Sequence, residues 1–451
     1  MYRPCNGSLE AWFNNVLADN WKLSSVSIQP FAKENQVSKR YPVVLASTGV
    51  SYSHSMQTEP RMHNQWQRII QTARSNREHF ICGCLPAQVN KLAPRQKPKS
   101  EECFLASYPN TTGNHAMDCF FYATPNEDSG LQAYNKGVVE ETEEGDLKIK
   151  LAFSLRPSET KKGTGSPELS KSYREPGMSK SAIRLRGLFD LLWTRSKYNT
   201  WMPAMKGKRN HVGLHKHLLE CAERIMVGND VLSQHLLVAS PVDDQVERNL
   251  QIMDRAIVQN ERLVVVAELP AFEKWPDPLK RLPLMFHWSL PYIGLEDRLW
   301  DLTVQRFNRE IAALRRGERV MVIVQTDVPT KGKKLTFAKP LHIALRQINN
   351  DLIPVDSTYE RQIADKLIDE GRQFEKPLRY DAEDEKYAPD FILCDTAAGR
   401  LPMEVFGLLT PEYIEQKALK SRHYDGLYGA GRWWQWNAAV DDPIPEFPAV
   451  K

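Results

Sequence analysis

The chain has no run approaching the roughly 20 consecutive apolar residues that a membrane-crossing helix requires, so no membrane partner is expected. Its first residues, "MYRPCNGSLEAWFNN", lack the charged-then-apolar pattern of a secretory signal. Cysteine is scarce: seven residues, an odd number unevenly spread, argue against a disulfide framework. Both features fit a cytoplasmic protein whose reduced thiols are free to bind metal. There is no internal repeat and no heptad run, which argues against a solenoid or a coiled coil. A net charge of only +4 does not by itself name a partner.

What is present is an ordinary globular composition, 41% apolar and 26% charged, in a chain of 451 residues, too long for one ordinary core. Charge is unevenly distributed. Residues 351–451 hold 20 Asp+Glu against 12 Lys+Arg, a balance of −8, whereas "TRSKYNTWMPAMKGKRNHVGLHKH", 194–217, holds six Lys+Arg and three histidines with no acid. The first segment could collect a cation and the second could attract a polyanion.

The pattern of elements predicts a multidomain α+β protein. An N-terminal region, 1–155, has a helix at "HNQWQRIIQTARSNR" and short β-like runs over 79–122 interspersed with cysteine and histidine. A linker rich in Pro, Gly, Ser and Lys follows at 156–180. A basic helical region, 181–260, pairs "AIRLRGLFDLLWTRSK" with "HKHLLECAERIMV" in the manner of a helix–turn–helix, although the connection is longer than usual. Over 261–350, strand "RLVVVAELPAF", a long amphipathic helix "LEDRLWDLTVQRFNREIAALRRG" and strand "RVMVIVQTDV" suggest a small α/β layer. The last region, 351–451, reads helix, three strands, helix, strand, with Thr410 as cap and Pro411 at the first turn of its second helix.

Three candidate sites emerge. In "YAPDFILCDTAAGRLPMEVFG", 387–407, Asp390 and Glu404 are acids within two apolar runs that form a hairpin. Buried carboxylates need compensation: either Asp390 caps a turn and Glu404 pairs with an arginine such as Arg379, or the two share a divalent ion such as Mg²⁺. Glu360 in the preceding helix is a third acid, and Tyr413, Lys417, Lys420 and Tyr424 share a face of the helix that follows.

Secondly, Cys82-x-Cys84 and His115-x₃-Cys119 could converge tetrahedrally on Zn²⁺, with Cys103 and His79 as substitute ligands; the bland alternative is a group of small buried cysteines. Thirdly, Arg184, Arg186, Arg195, Lys197, Lys206, Lys208 and Arg209 could meet phosphates, while Trp193 or Trp201 stacks on a base. An ordinary solvated basic face explains these residues about as well. Histidines 211, 215 and 217 read as surface residues, "RWWQWN", 432–437, as core, and Glu268 has no evident chemical role.

Glu in the first helix, "PD" on the second strand and "E-x-x" on the third, in the order α-β-β-β-α-β, resemble the PD-(D/E)XK, or restriction-endonuclease-like, nuclease superfamily over residues 351–440. The resemblance implies a Mg²⁺- or Mn²⁺-dependent endonuclease in which Asp390 and Glu404 hold the catalytic metal and Glu360 assists. Phe406 replaces the superfamily's lysine, so Lys417 or Lys420 would have to supply that charge. "CGC", "HAMDC" and "IRLRGLFDLLW" together resemble a family carried by bacterial conjugative plasmids and integrative elements. The expectation is a nuclease or DNA-processing factor of a mobile genetic element, with nucleic acid, DNA above all, as partner. The alternative is an accessory protein that binds nucleic acid through an inactive nuclease-like domain.

Overall fold

The computed structural model describes residues 39–451 except 98–99, 109–110, 123–133, 143–145, 158–180, 276–278, 380–387 and 441–442. The expected linker from 158 onward, and the N-terminal region up to 38, lie outside the described residues. The architecture is mixed α+β, built from several small sheets. Among the described residues no helix is long and apolar enough to cross a membrane.

Five antiparallel strands open the fold: β1 (Val43–Leu45), β2 (Ser51–Tyr52), β3 (Phe80–Cys82), β4 (Asn90–Gln96) and β5 (Cys103–Ser107), in the order β2-β1-β3-β4-β5. The predicted helix α1 (His63–Ser75) buries Trp66, Ile70 and Ala73, spaced four and three apart, against this sheet with Phe80, Leu92 and Leu105. A second sheet joins β6 (Val139–Glu141) and β7 (Leu147–Ile149) to two later strands, β9 (Ile225–Val227) and β10 (Asp230–Val231).

The two helices of the basic segment are α2 (Leu185–Arg195) and α3 (His211–Ala222). They are separated by strand β8 (Thr200–Trp201) and a single 3₁₀ turn. Helix α2 is buried almost all round, as expected of a central helix, and Phe189 stacks on Trp193 at 3.7 Å between ring centroids. Beyond α3, β11 (Leu236–Val238), β12 (Val264–Glu268), β14 (Arg319–Thr326) and β17 (Pro340–Ile348) form the central sheet, while β13 (Tyr292–Ile293), β15 (Thr330–Lys331) and β16 (Thr336–Ala338) form a small separate one. The central strands are near-continuous apolar runs covered by helices, among them α4 (Asp243–Gln259).

Strand β12 runs antiparallel to β14, Val264 pairing with Gln325. One expectation for this region is corrected. The predicted long helix is two, α5 (Asp297–Arg306) and α6 (Asn308–Arg315), because Phe307 leaves helical geometry at φ −112°, ψ 41°.

The C-terminal region consists of α7 (Thr358–Asp369), β18 (Phe374–Glu375), β19 (Phe391–Thr396), β20 (Gly399–Val405), α8 (Pro411–Tyr428) and β21 (Trp434–Trp436). Strands β18, β19 and β20 are antiparallel neighbours and β21 runs parallel to β20. At the opposite edge β8 pairs with β18, which ties the basic segment to this sheet. Ser357 and Thr410 cap α7 and α8 through their hydroxyls, with Pro411 in the first turn of α8. Trp434 and Trp436 face the core on either side of exposed Gln435, as the alternation predicts.

Candidate metal and catalytic sites

Phe391 pairs with Met403 across the β19–β20 hairpin, which sets Asp390 beside Glu404. Both carboxylates are buried. Asp390 Oδ2 accepts the Val405 amide at 2.8 Å and Oδ1 accepts Arg379 Nη2 at 2.9 Å. Glu404 accepts Lys420 Nζ on both oxygens, at 3.0 and 2.9 Å, and the Tyr424 hydroxyl at 2.8 Å. The arginine therefore pairs with Asp390, and Glu404 takes the lysine of α8. Lys417 instead stands 4.8 Å over the ring of Phe406, in a cation–π contact. Tyr413 closes the same helix face, its hydroxyl accepting the Gly407 amide at 3.4 Å. Gly407 is needed there because a Cβ would come within 2.9 Å of the Tyr359 ring.

Glu360 is also buried, but it turns toward Lys376 Nζ at 2.7 Å and accepts the Asp356 amide at 3.0 Å. Asp356 joins Lys376, Arg346 and Arg186, so acids and bases alternate from α2 to β18. Among the described residues, Glu360, Asp390 and Glu404 do not gather their oxygens into a three-ligand group, although the Asp390 charge acts on Glu360.

The charges shape one another. Burial alone would raise Asp390, but Lys420, Lys376 and Arg379 hold it below the usual carboxylate range. Glu404 is pushed up to about 8, first by burial and then by the Asp390 charge, despite Lys420. Burial likewise raises Glu360. Lys376 and Asp356 carry no signal in the sequence that marks them as site residues. A fully buried lysine after a two-residue strand cannot be told from any other, because its partners are far away in the chain.

At the N-terminal sheet, Cys82, Cys84, His115 and Cys119 are all buried, and their ligand atoms lie within 4.8 Å of one another. Cys82 ends β3 and Cys84 follows the tight turn at Gly83, whose amide donates to Pro42 O at 2.9 Å. His115 Nδ1 lies 3.3 Å from Cys84 Sγ and 3.7 Å from Cys119 Sγ, and Cys119 Sγ lies 3.7 Å from Cys82 Sγ. Ser107 Oγ, 3.2 Å from His115 Nε2, orients the ring from behind. This cluster could hold a metal such as zinc. Cys103 stays out of it, its thiol directed to Glu101 O at 3.8 Å.

The basic segment differs from the expectation. Lys197 is buried, its ammonium on the carbonyls of Cys119 and Phe120, so it anchors the cysteine–histidine loop. Arg209 is buried too, donating to the carbonyls of Tyr198, Thr200 and Asp351. Arg186 pairs with Glu310 at 3.0 Å and with Asp356 at 3.3 Å. Trp193 and Trp201 are fully buried and cannot stack on a base. Lys206 and Lys208 are exposed, and Arg184 and Arg195 half-buried. His215 is buried rather than superficial, and His211 Nε2 lies 2.8 Å from Glu268. That contact, with Arg319 on both Glu268 oxygens at 2.8 and 2.6 Å, accounts for the acid inside β12.

All these sites fall within the stretch shared with a known family. The chain belongs to the family described as protein of unknown function (DUF1173), whose model matches residues 52–439. No curated protein and no solved structure matches it.

Proposed function

We propose that this protein is a metal-dependent nuclease, with its reaction centre at β19, β20 and α8 and a structural zinc at Cys82, Cys84, His115 and Cys119. One observation carries the catalytic reading: Lys420 reaches from α8 onto Glu404, bringing to the paired acids the cation that Phe406 leaves out of β20. The strand directions, three antiparallel and a fourth parallel to the third, support the nuclease resemblance as well.

The residues fit a divalent ion by charge, since the hairpin sets two buried carboxylates side by side and the Asp390 charge pushes Glu404 up despite Lys420. Asp390 and Glu404 would hold Mg²⁺ or Mn²⁺, which when bound supplies Lewis acidity toward a phosphoryl oxygen and makes water more acidic. The protein's own groups do the rest. Lys420 offsets phosphate charge, Tyr424 fixes the Glu404 carboxylate by its 2.8 Å bond, and half-buried Arg379 steadies Asp390. A second reading, a nucleic-acid-binding protein without catalysis, is favoured by the chain's own cations, which already compensate Asp390 and Glu360.

Incubating the full-length protein with single- and double-stranded DNA and RNA, with Mg²⁺ or Mn²⁺, separates the two. Cleavage is expected from the wild type and should be abolished in folded Asp390→Asn and Glu404→Gln. Lys420→Met should lose about 10²–10³-fold in rate, whereas Lys417→Met, at the lysine that stands over Phe406, should stay within a few-fold. Binding without cleavage by the wild type would establish the second reading.

A further inference from the structure

Away from both sites, Asp230, His235 and Glu261 bring one ligand atom each within 4.8 Å of the others. Three separate elements deliver them. Asp230 opens β10 after the turn at Gly228, His235 follows a single 3₁₀ turn, and Glu261 follows Asn260, whose left-handed φ of 53° ends α4. That turn brings the Glu261 amide onto Ala256 O at 2.8 Å and folds the acid inward. Glu261 and His235 are both fully buried.

The hydrogen bonding is unbalanced. His235 Nδ1 lies 3.1 Å from Arg262 O, an acceptor, so the ring proton sits on Nδ1 and Nε2 is left with its lone pair. Among the described residues, Nε2 has no hydrogen-bond partner, and Glu261 Oε2 has none beyond an ion pair with Arg255 at 2.9 Å. An imidazolium donating to Glu261 would satisfy both atoms, but that bond is not formed. One cation would satisfy them together with Asp230. Arg156 holds Asp230 through both oxygens, at 3.1 and 2.8 Å, and reaches Glu261 Oε1 at 2.8 Å, which fixes both carboxylates in orientation.

We infer that Asp230, His235 and Glu261 form a second metal site, for a divalent transition ion. Two carboxylates and one imidazole suit ions from manganese to zinc better than magnesium, which prefers oxygen alone. Asp230 also lines an open cavity of about 790 Å³ with Lys148, Lys150 and Asn229, whose lysines would favour an anionic ligand next to the site.

Mn²⁺ is the probe, added to full-length protein that carries one equivalent of zinc, so that the thiolate cluster is filled and the second site stays open. Pulsed electron paramagnetic resonance should show Mn²⁺ coupled to one histidine nitrogen. The coupling should persist in Glu404→Gln, because among the described residues no histidine ligand atom groups with the acids of the C-terminal hairpin, and this keeps the result independent of the nuclease proposal. It should be lost in His235→Asn, Glu261→Gln and the least buried change, Asp230→Asn, scored on those that keep the wild-type circular dichroism. Absence of nitrogen coupling in the wild type, or its survival in the folded variants, overturns the site.

Discussion

Lys197 and His215 show how burial changes the meaning of a residue type. By sequence Lys197 is a phosphate contact, and in the fold it is an internal clamp on the Cys119 and Phe120 carbonyls. By sequence His215 is a surface histidine on α3, yet it is 2% exposed, its Nε2 makes no hydrogen bond among the described residues, and burial pushes it down to about 4. A histidine with a depressed folded pKa binds its proton more readily in the unfolded chain. Its neutral form therefore costs nothing extra above the unfolded value near 6.5, and stability is lost as pH falls from there toward 4. Replacing it with leucine removes that dependence. Between pH 7 and pH 4, urea unfolding should show wild type losing about 3 kcal/mol relative to His215→Leu. Parallel pH profiles would mean that the ring gains its proton inside the fold without cost.

At the scale of elements, the cysteine–histidine loops are where a small ion would matter most. The first sheet has only short strands, and its cluster of buried residues includes three of the four metal-site side chains. Removing zinc should therefore raise hydrogen exchange in β3, β4 and the loop at 115–119 well before the central sheet opens. Uniform protection with and without chelator, or purified protein devoid of zinc, would show that the thiols serve only as packing. The elements legible in the sequence are those with local signals: the apolar spacing of α1, the Thr410–Pro411 start of α8, the alternation at Trp434–Trp436. The Cys/His cluster is legible for a related reason, since two short pairs announce themselves by spacing. What is not legible depends on distant partners. The direction of β12 against β14 is set by the sheet as a whole, and the break at Phe307 interrupts a pattern that is amphipathic throughout. Lys376 becomes a site residue only because the fold returns α7 to β18.

For the molecule as a whole, the question is how a chain with an acidic C-terminal region would hold a polyanion. Arg209, Lys197 and Arg186 are committed to the interior or to ion pairs, so the basic segment has far less free charge than its composition suggests. Exposed Lys206 and Lys208 remain, in the turn that follows β8. Because β8 forms the edge of the sheet that contains β19 and β20, these two lysines follow a strand of the same sheet as the proposed reaction centre. If they meet phosphates, each neutralised contact releases counterions, and binding weakens with salt in proportion to the number of contacts. Lys206→Ala with Lys208→Ala should then lower affinity for DNA and reduce the slope of log affinity against log salt by about 2. Arg209 must be left in place, since its loss would strand three buried carbonyls and confuse unfolding with binding. An unchanged slope in a fully folded double variant would move the nucleic-acid contact to another face.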